Sequence, residues 1–154
     1  MKIIVAITGA SGSIYGVRTM QKLRLREDVE IHLVMSRSGE RTLHIETGMR
    51  AADVRMLAHF HYPFEDIGCR LASGSFLTDG MVVAPCSIHT MSAIATGVSG
   101  NLVVRAADVT LKERRRLVLM VRETPFHLGH LRTMVALSEM GAIIAPPIPA
   151  FYHQ

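Results

Sequence analysis

Short apolar runs alternate with amphipathic stretches along the whole chain, and that alternation predicts a parallel sheet with helices on both faces. Ile3 to Ile7 is an uninterrupted apolar run, as a strand covered on both faces requires. Ile14, Val17, Met20 and Leu23 then recur at helical spacing. Glu30 to Met35 predicts a second strand, Met81 to Ala84 a third, Leu117 to Val121 a fourth and Ile143-Ile144 a short last one. Helices are predicted over Glu40 to Glu46, Ala51 to Phe60, Ile88 to Gly97, Asn101 to Arg114 and His127 to Met140, the last ended by Gly141. Tyr62 to Phe76 is less regular, with Ser73-Gly74-Ser75 as a loop. No repeat or linker interrupts the pattern, and 154 residues suffice for one domain but not for two ordinary ones. The expectation is a single α/β domain over residues 1–154, a three-layer parallel sheet.

Thr8-Gly9-Ala10-Ser11-Gly12-Ser13-Ile14-Tyr15-Gly16 joins the first strand to its helix. Gly9 and Gly12 allow a tight turn and close approach of a ligand, Ser11 and Ser13 can cap the helix, and free N–H groups at a helix start favour phosphate. The spacing is neither that of the dinucleotide fingerprint nor that of the P-loop. A ligand-free glycine turn accounts for the string as well as a nucleotide site does. In an open sheet of this kind, ligands bind beyond the carboxyl ends of the strands. Four such ends carry chemistry: Gly9 to Gly12, Ser36, Cys86 to Thr90, and Arg122-Glu123.

Composition adds three constraints. Hydrophobic residues make up 49% and mean hydropathy is +0.27, high for a small monomer, so part of the apolar surface is expected to meet other subunits. No window has the length of a membrane span, and the N-terminus has no cleavage-site pattern, so the expectation is a cytoplasmic chain without signal peptide or membrane anchor. Lysine and arginine total 17 against 13 acidic residues, a net charge of +4 that suits anionic ligands. The densest run, Lys112 to Arg116, reads as the cationic end of a helix. With no Trp and 5% aromatics there is little material for base stacking, which argues against nucleic acid.

Several residues have bland readings. Cys69 and Cys86 lack metal-ligand spacing and read as thiols, Cys86 as a small buried one. Ser87 has no assignable Ser/His/Asp constellation, so helix capping is its reading. His127 and His130 share a helical face without a third ligand, and no metal is expected. Arg122 differs: it ends an apolar strand, where a charge must pair or bind a ligand.

Gly9-Ala10-Ser11-Gly12, Leu33-Val34-Met35-Ser36, Ser73-Gly74-Ser75-Phe76, Pro85-Cys86-Ser87, Arg105-Ala106-Ala107-Asp108-Val109, Leu111-Lys112-Glu113-Arg114-Arg115, Val121-Arg122-Glu123-Thr124-Pro125 and Pro146-Pro147-Ile148-Pro149-Ala150-Phe151-Tyr152, in this order, resemble the flavin prenyltransferase (UbiX) family. Its relatives include the small subunits associated with hydroxyarylic acid decarboxylases. The resemblance covers almost the whole chain. It implies a flavodoxin-like, Rossmann-type fold, a large homo-oligomer of twelve subunits, and FMN. It further implies transfer of a dimethylallyl group from dimethylallyl phosphate to reduced FMN without metal, giving prenylated FMN for a partner decarboxylase.

The resemblance assigns FMN contacts to Gly9, Ala10, Ser11, Ser36, Ser87, Ile88, His89, Thr90 and Arg122. It assigns the isoprenyl phosphate and the chemistry to Glu46, Lys112, Glu123 and Tyr152, with Glu123 as the acid/base and Glu46 secondary. Before the resemblance is counted, Lys112 reads as a surface lysine, Glu123 equally as an ion-pair partner of Arg122, and Tyr152 equally as a packing ring. His89 stands where the family has lysine, replacing a fixed charge by a titratable one. The family continues past Phe151-Tyr152 into a segment bearing a phosphate-gripping arginine, whereas the given sequence ends at Gln154. Two alternatives remain at this point: an FMN-dependent cysteine decarboxylase of the related superfamily, and a non-catalytic carrier of FMN or prenylated FMN.

Overall fold

The computed structural model describes residues 1–151. Six parallel strands form one sheet: β1 (Lys2–Ile7), β2 (Glu30–Met35), β3 (Phe60–Tyr62), β4 (Gly80–Cys86), β5 (Arg116–Val121) and β6 (Ile143–Ile144), in the order β3-β2-β1-β4-β5-β6. The five strands anticipated from the apolar runs lie in the flavodoxin order, and β3 extends that sheet at one edge. The helices are α1 (Ser13–Arg24), α2 (Arg37–Thr47), α3 (Ala51–Arg55), α4 (Ile88–Thr96), α5 (Leu102–Lys112) and α6 (Leu128–Glu139).

Alternate residues of each strand serve two cores because successive side chains leave opposite faces. On one face Val5, Ile7, Ile31 and Leu33 pack with Val17 and Met20 of α1, Leu43 of α2 and Val54 of α3. On the other, Ile4, Ala6, Val83, Leu117 and Leu119 meet Met91 of α4, Val103 and Ala107 of α5 and Leu137 of α6. Leu119 is wholly buried, and its truncation to alanine is worth about 2–5 kcal/mol.

Two elements depart from the pattern. The helix expected over Ala51 to Phe60 ends at Arg55, and the chain turns through Leu57 N–H to Val54 O and Ala58 N–H to Arg55 O. His59 N–H then bonds Ile31 O, and Phe60–Tyr62 becomes the edge strand β3. α2 begins three residues before Glu40, because Ser36 caps it by accepting from Gly39 N–H at 3.0 Å.

Apolar side chains left at the surface include Leu128, Leu131 and Val135 along α6, the excess that composition announced. Among the described residues, no helix is long and apolar enough to cross a membrane.

Candidate functional site

The strand order reverses between β1 and β4, so their carboxyl ends open a crevice. Thr8 fixes its floor. The buried Thr8 hydroxyl donates to Pro85 O at 2.7 Å and accepts from Ser87 N–H at 2.9 Å, tying the end of β1 to the end of β4. Gly12 takes the left-handed conformation (φ 96) that starts α1. A Cβ on Gly9 would lie 2.4 Å from Ser38 Oγ, so only glycine lets the turn after β1 approach the first turn of α2 this closely.

Three helices begin around this crevice. α2 is capped by Ser36 and α4 by Ser87, whose Oγ accepts from Thr90 N–H at 3.2 Å and donates to Thr90 Oγ1 at 3.1 Å. In each case the cap serves the third amide of the first turn. The amides of Arg37 and Ser38, and of Ile88 and His89, have no protein partner among the described residues. Convergent free amides of this kind bind anions. α1 differs, for its first amides are already engaged by Glu46.

Arg122 follows β5 at the crevice. Its backbone N–H donates to Cys86 O at 3.1 Å, while its guanidinium has no ion-pair partner among the described residues. It lines a cavity of about 320 Å³ with Ser11, Gly12, Tyr15, Glu46 and Thr47. A second cavity, of about 370 Å³, lies beyond β2 and β3, but its charges are matched: Arg37 with Glu65 at 2.8 Å, and Arg55 with Glu40. Of these two cavities, the Arg122 cavity is the one that holds an arginine without an ion-pair partner among the described residues.

The structure brings together Gly9, Ala10, Ser11, Ser36, Ser87, Ile88, His89, Thr90, Arg122 and Glu46, with Glu123 adjoining at the end of β5. Glu123 does not pair with Arg122; its carboxylate accepts from Thr124 N–H at 3.1 Å. His89 is exposed on the first turn of α4. Lys112 is not with them. It ends α5, pairs with Glu113 and precedes β5, whereas Arg122 follows β5. The six residues of that strand put the two about 20 Å apart along the strand axis. Tyr152 lies outside the described residues.

Cys86 and His127 have structural settings. Burial pushes the Cys86 thiol up to about 12, which leaves it protonated and inert. His127 caps α6, its Nδ1 accepting from Gly129 N–H at 3.0 Å. Among the described residues no three His, Cys, Asp or Glu side chains are placed to hold a metal.

Thr8 and Tyr15 lie within the glycine string but were given no role of their own by sequence reasoning, and Thr47 was missed. Thr8 had a signal, as the polar residue that closes an otherwise apolar strand. Tyr15 had only its place in the glycine string and Thr47 had no signal, since each reaches the cavity through the packing of α1 on α2.

The flavoprotein family model matches residues 1–151. The flavin prenyltransferase UbiX of Thauera aromatica is 53% identical over 154 residues, all of this chain and 79% of the relative. A dodecameric FMN-dependent UbiX-like decarboxylase from Escherichia coli O157:H7 superposes with a TM-score of 0.97 at 50% identity, over 99% of this chain and 82% of that one. AnUbiX (PadA1), solved in complex with FMN and dimethylallyl pyrophosphate, gives a TM-score of 0.94 at 47% identity, over 98% of this chain and 80% of that one.

Proposed function

The chain belongs to the flavin prenyltransferases of the flavoprotein family, and from that premise we propose that it transfers a dimethylallyl group from dimethylallyl phosphate to reduced FMN. The observation that carries the reading is the Arg122 guanidinium, without an ion-pair partner among the described residues, lining one cavity with the glycine turn, beside two helix starts whose first amides have no partner among those residues. Two phosphoryl groups need two anion sites, and this crevice supplies them.

The residues present fit FMN. The free amides at the starts of α2 and α4, with Ser36, Ser87 and Thr90, suit its phosphate, and the narrow approach of Gly9 to Ser38 leaves room for backbone contact. Reduced flavin supplies the electron-rich ring nitrogen and carbon to which the allyl group becomes attached.

This chain's residues supply electrostatics and proton handling. Loss of phosphate from a dimethylallyl group leaves an allylic cation, so the leaving group must be stabilised by preorganised donors. Arg122 faces the cavity for that role. Closing the new ring releases a proton from carbon, and Glu123, beside the crevice and free of an arginine partner, is the carboxylate we assign to accept it. Tyr152 is proposed as a further phosphate contact.

Lys112 can share in this only from a neighbouring subunit, since its own β5 separates it from Arg122. We therefore place each site between subunits of a homo-oligomer, a dodecamer in the finer reading, consistent with the apolar stripe on α6. The product is proposed to serve a prenyl-FMN-dependent decarboxylase in the cytoplasm, where free Cys69 and Cys86 would persist.

The test is anaerobic incubation of the protein with reduced FMN and dimethylallyl phosphate, followed by mass spectrometry of the flavin. A flavin heavier by one isoprenyl unit is the predicted product. Unchanged FMN would leave a carrier, and carbon dioxide released from a cysteine substrate would favour the decarboxylase.

A further inference from the structure

Glu123 sits on a suspended segment. Among the described residues, no hydrogen bond ties residues 123–126 to any other part of the chain; the bond found there is internal, from Thr124 N–H to the Glu123 carboxylate. The segment is therefore placed by its two ends. At the first, Arg122 N–H donates to Cys86 O at 3.1 Å and fixes the exit of β5 on β4. At the second, the chain enters α6, and the side chain that caps this helix is His127.

His127 Nδ1 accepts from Gly129 N–H at 3.0 Å and from His130 N–H at 3.4 Å, two of the amides that a helix start leaves without partners. A Cβ on Gly129 would lie 2.8 Å from His127 Cε1, so glycine is what lets the ring fold over the first turn. The His130 ring stacks on that of His127 with centroids 3.5 Å apart, and Phe126 meets His130 edge-on at 6.3 Å. Since His130 Nδ1 is buried without a hydrogen-bond partner among the described residues, packing holds this ring. The last residue of the segment is thus clasped to the capped turn. Histidine is not among the residues that lead at helix caps. Ser36, Ser87 and Asn101 cap α2, α4 and α5 through oxygens that do not titrate, whereas an imidazole caps only through a nitrogen without a proton.

We infer that His127 is a positioning residue for Glu123: by capping α6 through its bare Nδ1, it fixes the far end of the segment on which that carboxylate is carried. The inference rests on the prenyltransferase reading for the role of Glu123. His127 acts on the chemistry only through the segment it anchors. A proton on Nδ1 turns the acceptor into a donor aimed at two N–H groups, and the cap is lost. The segment should therefore loosen in acid.

The test compares the full chain as wild type, His127→Asn and His127→Ala, at pH 8 and at about pH 5.5, the range over which histidines change charge. Three quantities are read: hydrogen-exchange protection over residues 123–131 relative to an unstructured chain, single-turnover dimethylallyl transfer, and FMN affinity. At pH 8 the alanine variant should lose about fivefold in protection and transfer about tenfold more slowly with FMN affinity unchanged, while asparagine, a good cap, matches wild type. In acid, wild type should lose protection and the asparagine variant keep it, so the ratio of their transfer rates shifts toward asparagine. Of the elements packed on α6, α4 carries His89 and β6 no titratable side chain; α6 adds His130, Arg132 and Glu139, and the preceding residues are Arg122 and Glu123. Both proteins share all of these, so their titration cancels in the ratio. Should the alanine variant fail to fold, the pH comparison of wild type with asparagine decides. Parallel pH profiles for those two overturn the inference, as does an alanine variant that transfers at the wild-type rate. If protection behaves as predicted while no protein, wild type included, transfers a dimethylallyl group, the anchoring stands and the prenyltransferase reading falls.

Discussion

Two arginines flank β5, and they have opposite fates. Arg115, just before the strand, donates from its guanidinium to Gly74 O at 2.7 Å, Phe76 O at 2.9 Å and Thr78 Oγ1 at 3.4 Å, tying an irregular loop to the sheet. Arg122, just after it, donates only its backbone N–H among the described residues, and its side chain lines a cavity. Residue type and strand are the same. The difference is whether the donors are satisfied within the chain. Saturated groups at the amino pole of the sheet hold the fold, and unsaturated ones at the carboxyl pole are available to a ligand.

The largest effect should come from Glu123, which adjoins the unsaturated pole. Glu123→Gln is expected to keep FMN affinity and to lower prenyl transfer by about two to four orders of magnitude. Flavin titration, melting and single-turnover prenylation of one preparation check this. A variant that loses FMN and melts early, while its remaining bound fraction reacts normally, would return Glu123 to a structural role.

Lys112 and Arg122 test the separation of the poles directly. Lys112→Ala and Arg122→Ala should each be nearly inactive, yet oligomers reassembled from an equal mixture should recover about a quarter of the sites, where intact Lys112 of one subunit meets intact Arg122 of another. No recovery in verified mixed oligomers would mean that the two side chains do not act across an interface.

Helix caps give a smaller contrast. Ser87 caps α4 at the crevice, and Asn101 caps α5 by accepting from Val104 N–H at 3.0 Å. Alanine at either should cost about 1 kcal/mol of stability, measured by denaturant unfolding. Only Ser87→Ala should also weaken FMN, by about three- to tenfold.

The smallest effect is expected far from the crevice. His32 is buried in β2, its Nδ1 against Tyr62 OH at 2.9 Å and its Nε2 against Glu30 at 2.7 Å. Burial lowers its pKa; Glu30 opposes that, and Lys2 and Arg70 add to it. The unfolded chain therefore binds the proton more readily than the folded one. Stability contributed by neutral His32 is present above the unfolded value of about 6.5 and declines as pH falls toward the folded value. His32→Gln should flatten that slope in urea midpoints while leaving prenyl transfer intact.

The long strands were legible in the sequence because a sheet covered on both faces demands continuous apolar runs such as Ile3 to Ile7. Phe60–Tyr62 was not, since three residues at a sheet edge are too short for any periodicity and inherit their conformation from β2. The polar residues at the strand ends marked the crevice for a physical reason, namely that a parallel sheet places all those ends at one pole. The same rule could have assigned Lys112 to the other pole, because a residue that ends the helix before a parallel strand lies at the amino end of that strand. The reach of Glu46 to Gly12 was hidden, for it depends on how α2 packs on α1.

The central claim is that unsaturated groups carry the chemistry and saturated ones the fold, and one paired measurement tests it most directly. Arg122→Gln and Arg115→Gln are compared side by side for melting temperature and for single-turnover dimethylallyl transfer to reduced FMN. Arg122→Gln should melt near wild type and lose transfer by about two to three orders of magnitude. Arg115→Gln should lose about 1.5–3 kcal/mol of stability, yet transfer at close to the wild-type rate in the molecules that remain folded. The account is contradicted if Arg122→Gln unfolds, or if Arg115→Gln melts normally and loses transfer.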